Sequence, residues 1–397
     1  MYTAKADAKA IASIRSGGYD VAESVAAGGS TIDLVLTARE ADRLRGQGVD
    51  LSLKRNGKGQ TVRQQADAMA AGGYNVYRSY DEQGGIRDEL YALAKKNPSI
   101  VKLKVIGHTI QGREIIALKV TKNANQLADG ARPAALWMGT IHAREWIATE
   151  VDRRLLHHFV DNYGKNAEIT NLVNTRELWF MPVANPDGYQ YTFDTERLWR
   201  KNLRDVNSDG QVTAGDGVDL NRNYNERWNY DNEGSSTESS SDTYRGPEPA
   251  SEPETKAHQK LIDDLKFKFL VTYHSYGPLL LYPYGWQIQT PSLDDPLFVE
   301  YTGTDANPAV EGFDPGVGAD LYTTNGTTDD YSYSKTGALS WTPELEEGCT
   351  GCGFVFPDDE ALVQEQFEKN LPFAMRLARS TLDPANPVGA TMKPFYL

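Results

Sequence analysis

Residues 134–141 read Ala-Ala-Leu-Trp-Met-Gly-Thr-Ile, an almost unbroken apolar run that ends on His142-Ala143-Arg144-Glu145. Its length and continuity are those of a strand buried on both faces, as at the centre of a sheet covered by helices. The next segment, 146–163, changes period: Ile147, Val151, Leu155, Leu156, Phe159 and Val160 recur at helical spacing. Strand, short polar turn and amphipathic helix make half of an α/β unit, and its repetition decides the class. Residues 101–106 and 114–120 read as strands about a turn at Gly112, and 178–183, 267–273 and 338–343 as further central strands. A long helix follows from Asp358, with a kink expected at Pro372. The pattern implies an α/β domain over 76–385 around a mostly parallel or mixed sheet, then a C-terminal tail at 386–397.

In such sheets functional groups gather at the carboxyl ends of strands, so the polar residues directly after them carry the chemistry. His142 and Glu145 stand three apart on one side of a turn, so an imidazole and a carboxylate can converge on one ion. Zinc takes nitrogen and oxygen donors, and a catalytic site needs three protein ligands and one open position. Six histidines are available. His157 and His158 fall inside the amphipathic helix, with Asp161 three after His158, and His108 and His258 lie in polar context; all four read as surface residues. His274 ends the apolar strand 269–273, the same structural position as His142, and completes a candidate metal set of His142, Glu145 and His274. Asp219, in Gly217-Val218-Asp219-Leu220, could accept the second-ring proton of His142 and fix its tautomer; the alternative is a loop carboxylate.

Composition narrows the function classes. Across 397 residues, 41 Lys and Arg against 55 Asp and Glu give a net charge of −14, a surface that repels phosphate backbones and argues against nucleic acid as a partner. No apolar run approaches the roughly 18 residues of a membrane span. The first residues show no basic-then-apolar secretion signal. Two cysteines are too few for a disulfide framework or a four-thiolate zinc site. Residues 1–52 read as a small α/β unit: a helix at 6–16 broken by Gly17-Gly18, two strands, and a helix opened by Thr37 with Glu40 three residues on. Residues 53–75, polar, basic and Gly/Ala-rich, read as an exposed linker.

Several segments together resemble the zinc carboxypeptidases of the carboxypeptidase A/B-like (funnelin) family, in a bacterial-type version with a short N-terminal pro-segment. They are IHAREWIATE at 141–150, NPDGYQYTFDTERLWRKN at 185–202, GVDLNRNY at 217–224, YRGPEPASEPET at 244–255, HSYGPLLLYPYG at 274–285, TTDDYSY at 327–333 and SWTPEL at 340–345. The resemblance implies a mixed eight-stranded sheet flanked by helices, one zinc ion per chain, and hydrolysis of the C-terminal residue of peptides and proteins by a secreted, monomeric enzyme. It makes His142, Glu145 and His274 the zinc ligands, Glu344 the general base and Arg200 the arginine that polarises the scissile carbonyl. Asn221 and Arg222 match the pair that clamps the substrate carboxylate, Tyr322 the tyrosine that closes over the site, and Arg144 an auxiliary subsite arginine. The residue types fit these roles chemically, since a carboxylate beside a metal-activated water can take and return a proton, and a guanidinium binds a carboxylate bidentately.

Asp329, in Thr328-Asp329-Asp330-Tyr331, matches the acidic pocket residue of the carboxypeptidase B version and implies a preference for C-terminal Lys or Arg, with dual basic and apolar specificity as the other outcome. Residues 205–216 place Asp205, Asn207, Asp209 and Asp216 at positions 1, 3, 5 and 12 with Gly210 at 6, the spacing of a calcium loop; the alternative is an acidic turn. The first 52 residues resemble a shortened pro-segment, so a zymogen processed within 53–75 at Lys54, Arg55, Lys58 or Arg63 is expected. Cys349 and Cys352 lie among glycines and read as a local disulfide of an exported protein. Two other classes are a silent module that captures peptide C-termini and a hydrolase of cell-wall peptides or glutamylated tails; Glu344 and Arg200 argue against the first.

Overall fold

The computed structural model describes residues 1–24 and 31–388. Four short strands, β1 (Tyr2–Lys5), β2 (Asp20–Ser24), β3 (Thr31–Val35) and β4 (Asp50–Leu53), pair antiparallel in the order β2-β3-β1-β4. Helices α1 (Ala8–Ser16) and α2 (Ala38–Gly46) pack Ile11, Ile14 and Leu44 against Val21, Ile32 and Leu34 of that sheet. Thr37 and Glu40 form the reciprocal capping box. Strands β1 and β4 add to the two read from the sequence; at four residues each, their alternation is too short to register.

Residues 53–75 differ from the exposed linker expected. Lys54 is buried, and α3 (Val62–Gly72), opened by a Thr61–Gln64 capping box, turns Val62 and Ala66 against Val355. Its Gln- and Ala-rich composition, which reads as polar, is also good helix-forming composition, and a narrow buried stripe suffices to dock it.

The remainder runs α4 (Ile86–Lys96), β5 (Val101–His108), β6 (Glu114–Val120), β7 (Ala134–Gly139), α5 (Trp146–Asn162), α6 (Ala167–Thr175), β8 (Glu177–Met181), α7 (Pro186–Asp194), α8 (Pro253–Leu265), β9 (Phe269–Ser275), β10 (Leu279–Tyr282) and α9 (Asp295–Thr302). A two-residue pair, β11 (Gly303–Thr304) and β12 (Asn307–Pro308), precedes β13 (Asp314–Val317), α10 (Gly318–Leu321), α11 (Thr328–Thr336), β14 (Leu339–Leu345) and α12 (Glu360–Ser380), a helix that runs on through Pro372. The expected tail lies, from 389 onward, outside the described residues.

Eight strands form one mixed sheet in the order β13-β10-β14-β9-β7-β8-β6-β5. Period-two patterning gives it two cores: Ala135 and Trp137 of β7 join α4, α5, α6, α9 and α12 on one face, while Leu136 and Met138 meet Leu261 and Ile262 of α8 on the other. The central strands β7, β9 and β14 are mutually parallel, so their carboxyl ends open at one edge. Gly139 ends β7 where a Cβ would lie 2.7 Å from both Ala148 O and Pro182 O, so only glycine lets the strand turn there into His142.

Candidate active site

Sheet register assembles the site. Gly139 of β7 lies opposite Tyr273 of β9, so His142 and His274 leave adjacent strand ends, and β14 sets Glu344 opposite His274. His142 Nδ1 lies 2.9 Å from Glu145 Oε1, His274 Nδ1 3.2 Å from Glu145 Oε2, and the two imidazole Nδ1 atoms 3.1 Å apart, all buried. His142 Nε2 lies 3.1 Å from Asp219 Oδ1. Burial alone would raise the Asp219 carboxyl, but the charges of Arg200 and His142 hold it well below the usual carboxylate range. An ionised Asp219 accepts from Nε2–H, which leaves the Nδ1 lone pair of His142 facing inward. Two nitrogens and a carboxylate packed this closely are placed to share one cation, and their spacing suits bonds of about 2.0–2.2 Å to zinc. Among the described residues this is the only group of three or more His, Cys, Asp and Glu side chains that converges in this way.

Residues 205–216 are not among the side chains that converge as a metal group. Asp205, Asn207, Asp209 and Asp216 form no such group; Asp216 instead accepts the N–H groups of Val206 and Thr213, and Asp205 those of Asp209 and Gly210. These bonds close the turn on its own backbone N–H groups. His258 also departs from its surface reading: it is fully buried, bonded to Tyr224 Oη at 3.1 Å and Ala184 O at 3.0 Å, and burial lowers its pKa to about 4. His157 is half-buried on α5, between Glu89 at 2.8 Å and Asp161 at 3.3 Å, and His108 is exposed.

Asn221, Arg222, Tyr322, Asp329 and Glu344 line the same cleft as His142 and His274. Desolvation and the nearby Glu145 charge push the Glu344 carboxyl well above its ordinary value. Arg200 is buried and donates through Nε to Asp219 Oδ2 at 3.0 Å. Asn221 and Arg222 follow Asp219 in a tight 3₁₀ turn; Arg222 is locked by donating Nε–H to Gly234 O and Nη1–H to Asn221 O, both at 2.8 Å. Tyr322 Oη lies 3.3 Å from Arg222 Nη2. Asp329 lines the cleft with Thr327 and Gly285, while its neighbour Asp330 accepts Gly285 N–H and is pushed well up by burial and the Asp329 charge. Cys349 and Cys352 are joined as a disulfide.

Sequence reasoning missed the residues that cover the site. Asp20 at the start of β2 is buried between Arg144 and Arg200, its Oδ1 3.1 Å from Arg200 Nη1 and its Oδ2 bonded to Arg144 Nη2. Arg144 also meets Asp242 at 2.9 Å and stacks 3.9 Å above Phe354. Lys54 bridges Asp33 at 2.5 Å, Tyr276 Oη at 3.0 Å and Glu347 at 3.3 Å. Leu281 and Leu321, from the walls of the cleft, complete the apolar core of the N-terminal unit. Gly18 permits this seat: its φ is +71°, and a Cβ would lie 2.7 Å from Ser235 O. No local pattern marks Asp20, because its partners lie 124 and 180 residues away. The cleft holds a cavity of only about 40 Å³. That is room for a few waters, far below the several hundred Å³ of a site that takes an amino-acid side chain.

Fold and site together define a metal-dependent peptidase class. The profile of the family described as zinc carboxypeptidase matches residues 86–370, and the chain belongs to that family. It is 34% identical over 300 residues to a metallocarboxypeptidase A of Trichophyton rubrum, covering 73% of this chain and 68% of that protein. It is 35% identical over 307 residues to a carboxypeptidase B of Astacus astacus, covering 74% of this chain and 95% of that one. Among solved structures, the carboxypeptidase A of Helicoverpa armigera superposes with a TM-score of 0.75 at 25% identity, covering 97% of each chain. The chain is therefore a metallocarboxypeptidase, a hydrolase of peptide bonds with the mixed-sheet fold of that family. Among the described residues no helix is long and apolar enough to cross a membrane.

Proposed function

We propose that the protein is a zinc exopeptidase that removes C-terminal Lys or Arg and is held latent by its N-terminal unit. The observation that carries this reading is the convergence in one cleft of His142, Glu145 and His274 with Glu344, the Asn221–Arg222 pair and Asp329. His142, Glu145 and His274 would hold the ion, with Asp219 fixing the His142 tautomer. A zinc bound there supplies Lewis acidity, lowering the pKa of a water and polarising a carbonyl. Glu344, opposite His274 in the sheet register, takes the proton of the attacking water and passes it to the leaving amine. Arg200 faces the developing oxyanion, a contribution on the order of 3 kcal/mol per donor. Arg222 binds the terminal carboxylate, which excludes internal peptide bonds. Asp329 pairs with the cationic side chain; left unpaired against an apolar one it would cost binding.

Latency has its own support. Asp20 occupies Arg200 and Arg144, and the N-terminal unit packs on Leu281 and Leu321, so a substrate meets neither the arginines nor the pocket until that unit leaves. A disulfide and an acidic surface suit an exported protein that is processed outside the cell. The test is hydrolysis of a blocked peptide ending in Arg after limited proteolysis. Activity should disappear with a chelator and fall about 10²–10⁴-fold in Glu344→Gln, which leaves the three donors intact. Equal hydrolysis of an internal peptide bond would refute an exopeptidase.

A further inference from the structure

An asparagine amide has two unlike ends: its NH₂ attracts a carboxylate and its oxygen repels one. Which end Asn221 offers the cleft is settled by a single neighbour. Asn221 Oδ1 accepts two hydrogen bonds from Thr328, from its backbone N at 2.9 Å and its Oγ1 at 2.9 Å. Asn221 is 7% exposed and Thr328 fully buried. Thr328 opens α11, where its N–H is one of the first-turn donors with no partner inside the helix. Rotating the amide would set Asn221 NH₂ against that N–H, donor against donor, in a dry site. Nδ2 has no acceptor among the described residues, and Asn221 lines the cleft beside Arg222. Asp329 is the next residue of the same turn, its carbonyl fixed by Ser340 Oγ at 2.9 Å.

We propose that Thr328 is a positioning residue for recognition of the substrate's terminal carboxylate. Its hydroxyl and backbone N–H hold Asn221 with NH₂ toward the cleft, so the turn that presents the pocket carboxylate also aims the carboxylate clamp. This rests on reading Asn221 and Arg222 as that clamp. The backbone donor survives any substitution except proline, so the hydroxyl is the part that can be removed cleanly.

The test uses the full chain activated by limited proteolysis, with arginine and argininamide as competing probes. In Thr328→Val, which keeps the shape and deletes the donor, KM for a blocked peptide ending in Arg and Ki for arginine should rise about tenfold, the loss expected of one charge-assisted hydrogen bond. kcat and Ki for argininamide, which lacks the carboxylate, should change less than about twofold by the same logic. Thr328→Ser should restore wild-type values, and Tyr224→Phe, which removes the other polar neighbour of the Thr328 hydroxyl, should leave the arginine-to-amide ratio unchanged. Thr328→Ala replaces Thr328→Val if that variant does not fold. An equal loss for arginine and its amide, or a loss confined to kcat, overturns the role of Thr328 alone. A wild-type enzyme that binds arginine and argininamide equally overturns the clamp reading and this proposal with it.

Discussion

Asp329 and Asp330 are adjacent carboxylates that their surroundings set to different uses. Asp330 is tied to Gly285 N–H and its carboxyl is pushed well up by burial and by its neighbour, whereas Asp329 is the one of the two that lines the cleft. Asp329→Asn should lower kcat/KM for a C-terminal Arg by about 10²–10³-fold, the cost of leaving a guanidinium unpaired in a desolvated pocket, with little change for Leu. Competition between peptides ending in Arg and Leu measures it, and an unchanged ratio would remove Asp329 from specificity. A different carboxylate controls stability. Burial, then the charges of Glu252 and Asp187, raises Glu254 from an ordinary value of 4.5 to about 7. Here the folded-state pKa is raised, so the native protein binds the extra proton and stability declines as pH rises from about 4.5 to 7, then levels. Glu254→Gln should remove that slope and raise stability at pH 8 by up to about 3 kcal/mol. Denaturant midpoints at pH 5 and pH 8 check it: an equal shift at both would mean that charge is not the cause.

Between Lys54 and α3 the chain makes a closed turn, not a loose linker. Arg55 bridges Thr61, Asn56 N donates to Gln60 O at 3.0 Å, and Asn56 Oδ1 accepts Lys58 N at 3.0 Å, which leaves Lys58 exposed at the tip. Lys54 is buried, and Arg63 sits in the first turn of α3, paired with Glu196 at 2.9 Å. A trypsin-like protease should therefore cut first after Lys58, since loop tips open at the least cost. Mass spectrometry of early products decides it, and first cleavage after Lys54 would refute the assignment. The same contrast shows what the sequence makes legible. The strands β7, β9 and β14 announce themselves because burial on both faces demands continuous apolar runs, and His142 and His274 are found because each follows or closes such a run, whereas Glu344 is found only through the resemblance of SWTPEL at 340–345 to the family. The docked face of α3 and the strands β1 and β4 are hidden, because one apolar residue per turn or two per strand is no periodicity. The buried His258 is hidden for another reason: its partners, Tyr224 and Ala184, come from other elements.

Across the whole molecule the N-terminal unit and the catalytic domain are joined by a buried charge triad as well as by apolar contact. Asp20 is the anion shared by Arg144 and Arg200, and Arg200 answers also to Asp219 at 3.0 Å. Removing one member of a buried ion group costs more than the group is worth, since the remaining charges stay desolvated; about 3–5 kcal/mol is typical. Asp20→Asn should therefore loosen the seat without touching a group used in hydrolysis. The intact Asp20→Asn chain should hydrolyse a blocked C-terminal Arg peptide measurably where the intact wild-type chain is silent, and the two should have equal kcat/KM after proteolysis. The acid response follows with a fixed sign. Burial opposes ionisation of Asp20, but Arg144 and Arg200 outweigh it and depress the folded-state pKa below the ordinary 3.8. Its stabilisation is thus complete above that ordinary value and lost only as pH falls through the depressed one. Mild acid, near pH 5, should leave the wild-type chain latent. Activation of the uncut chain at pH 5 would show that a group other than Asp20, titrating in that range, holds the seat; an intact Asp20→Asn chain as silent as wild type would show that the apolar seat on Leu281 and Leu321 maintains latency alone.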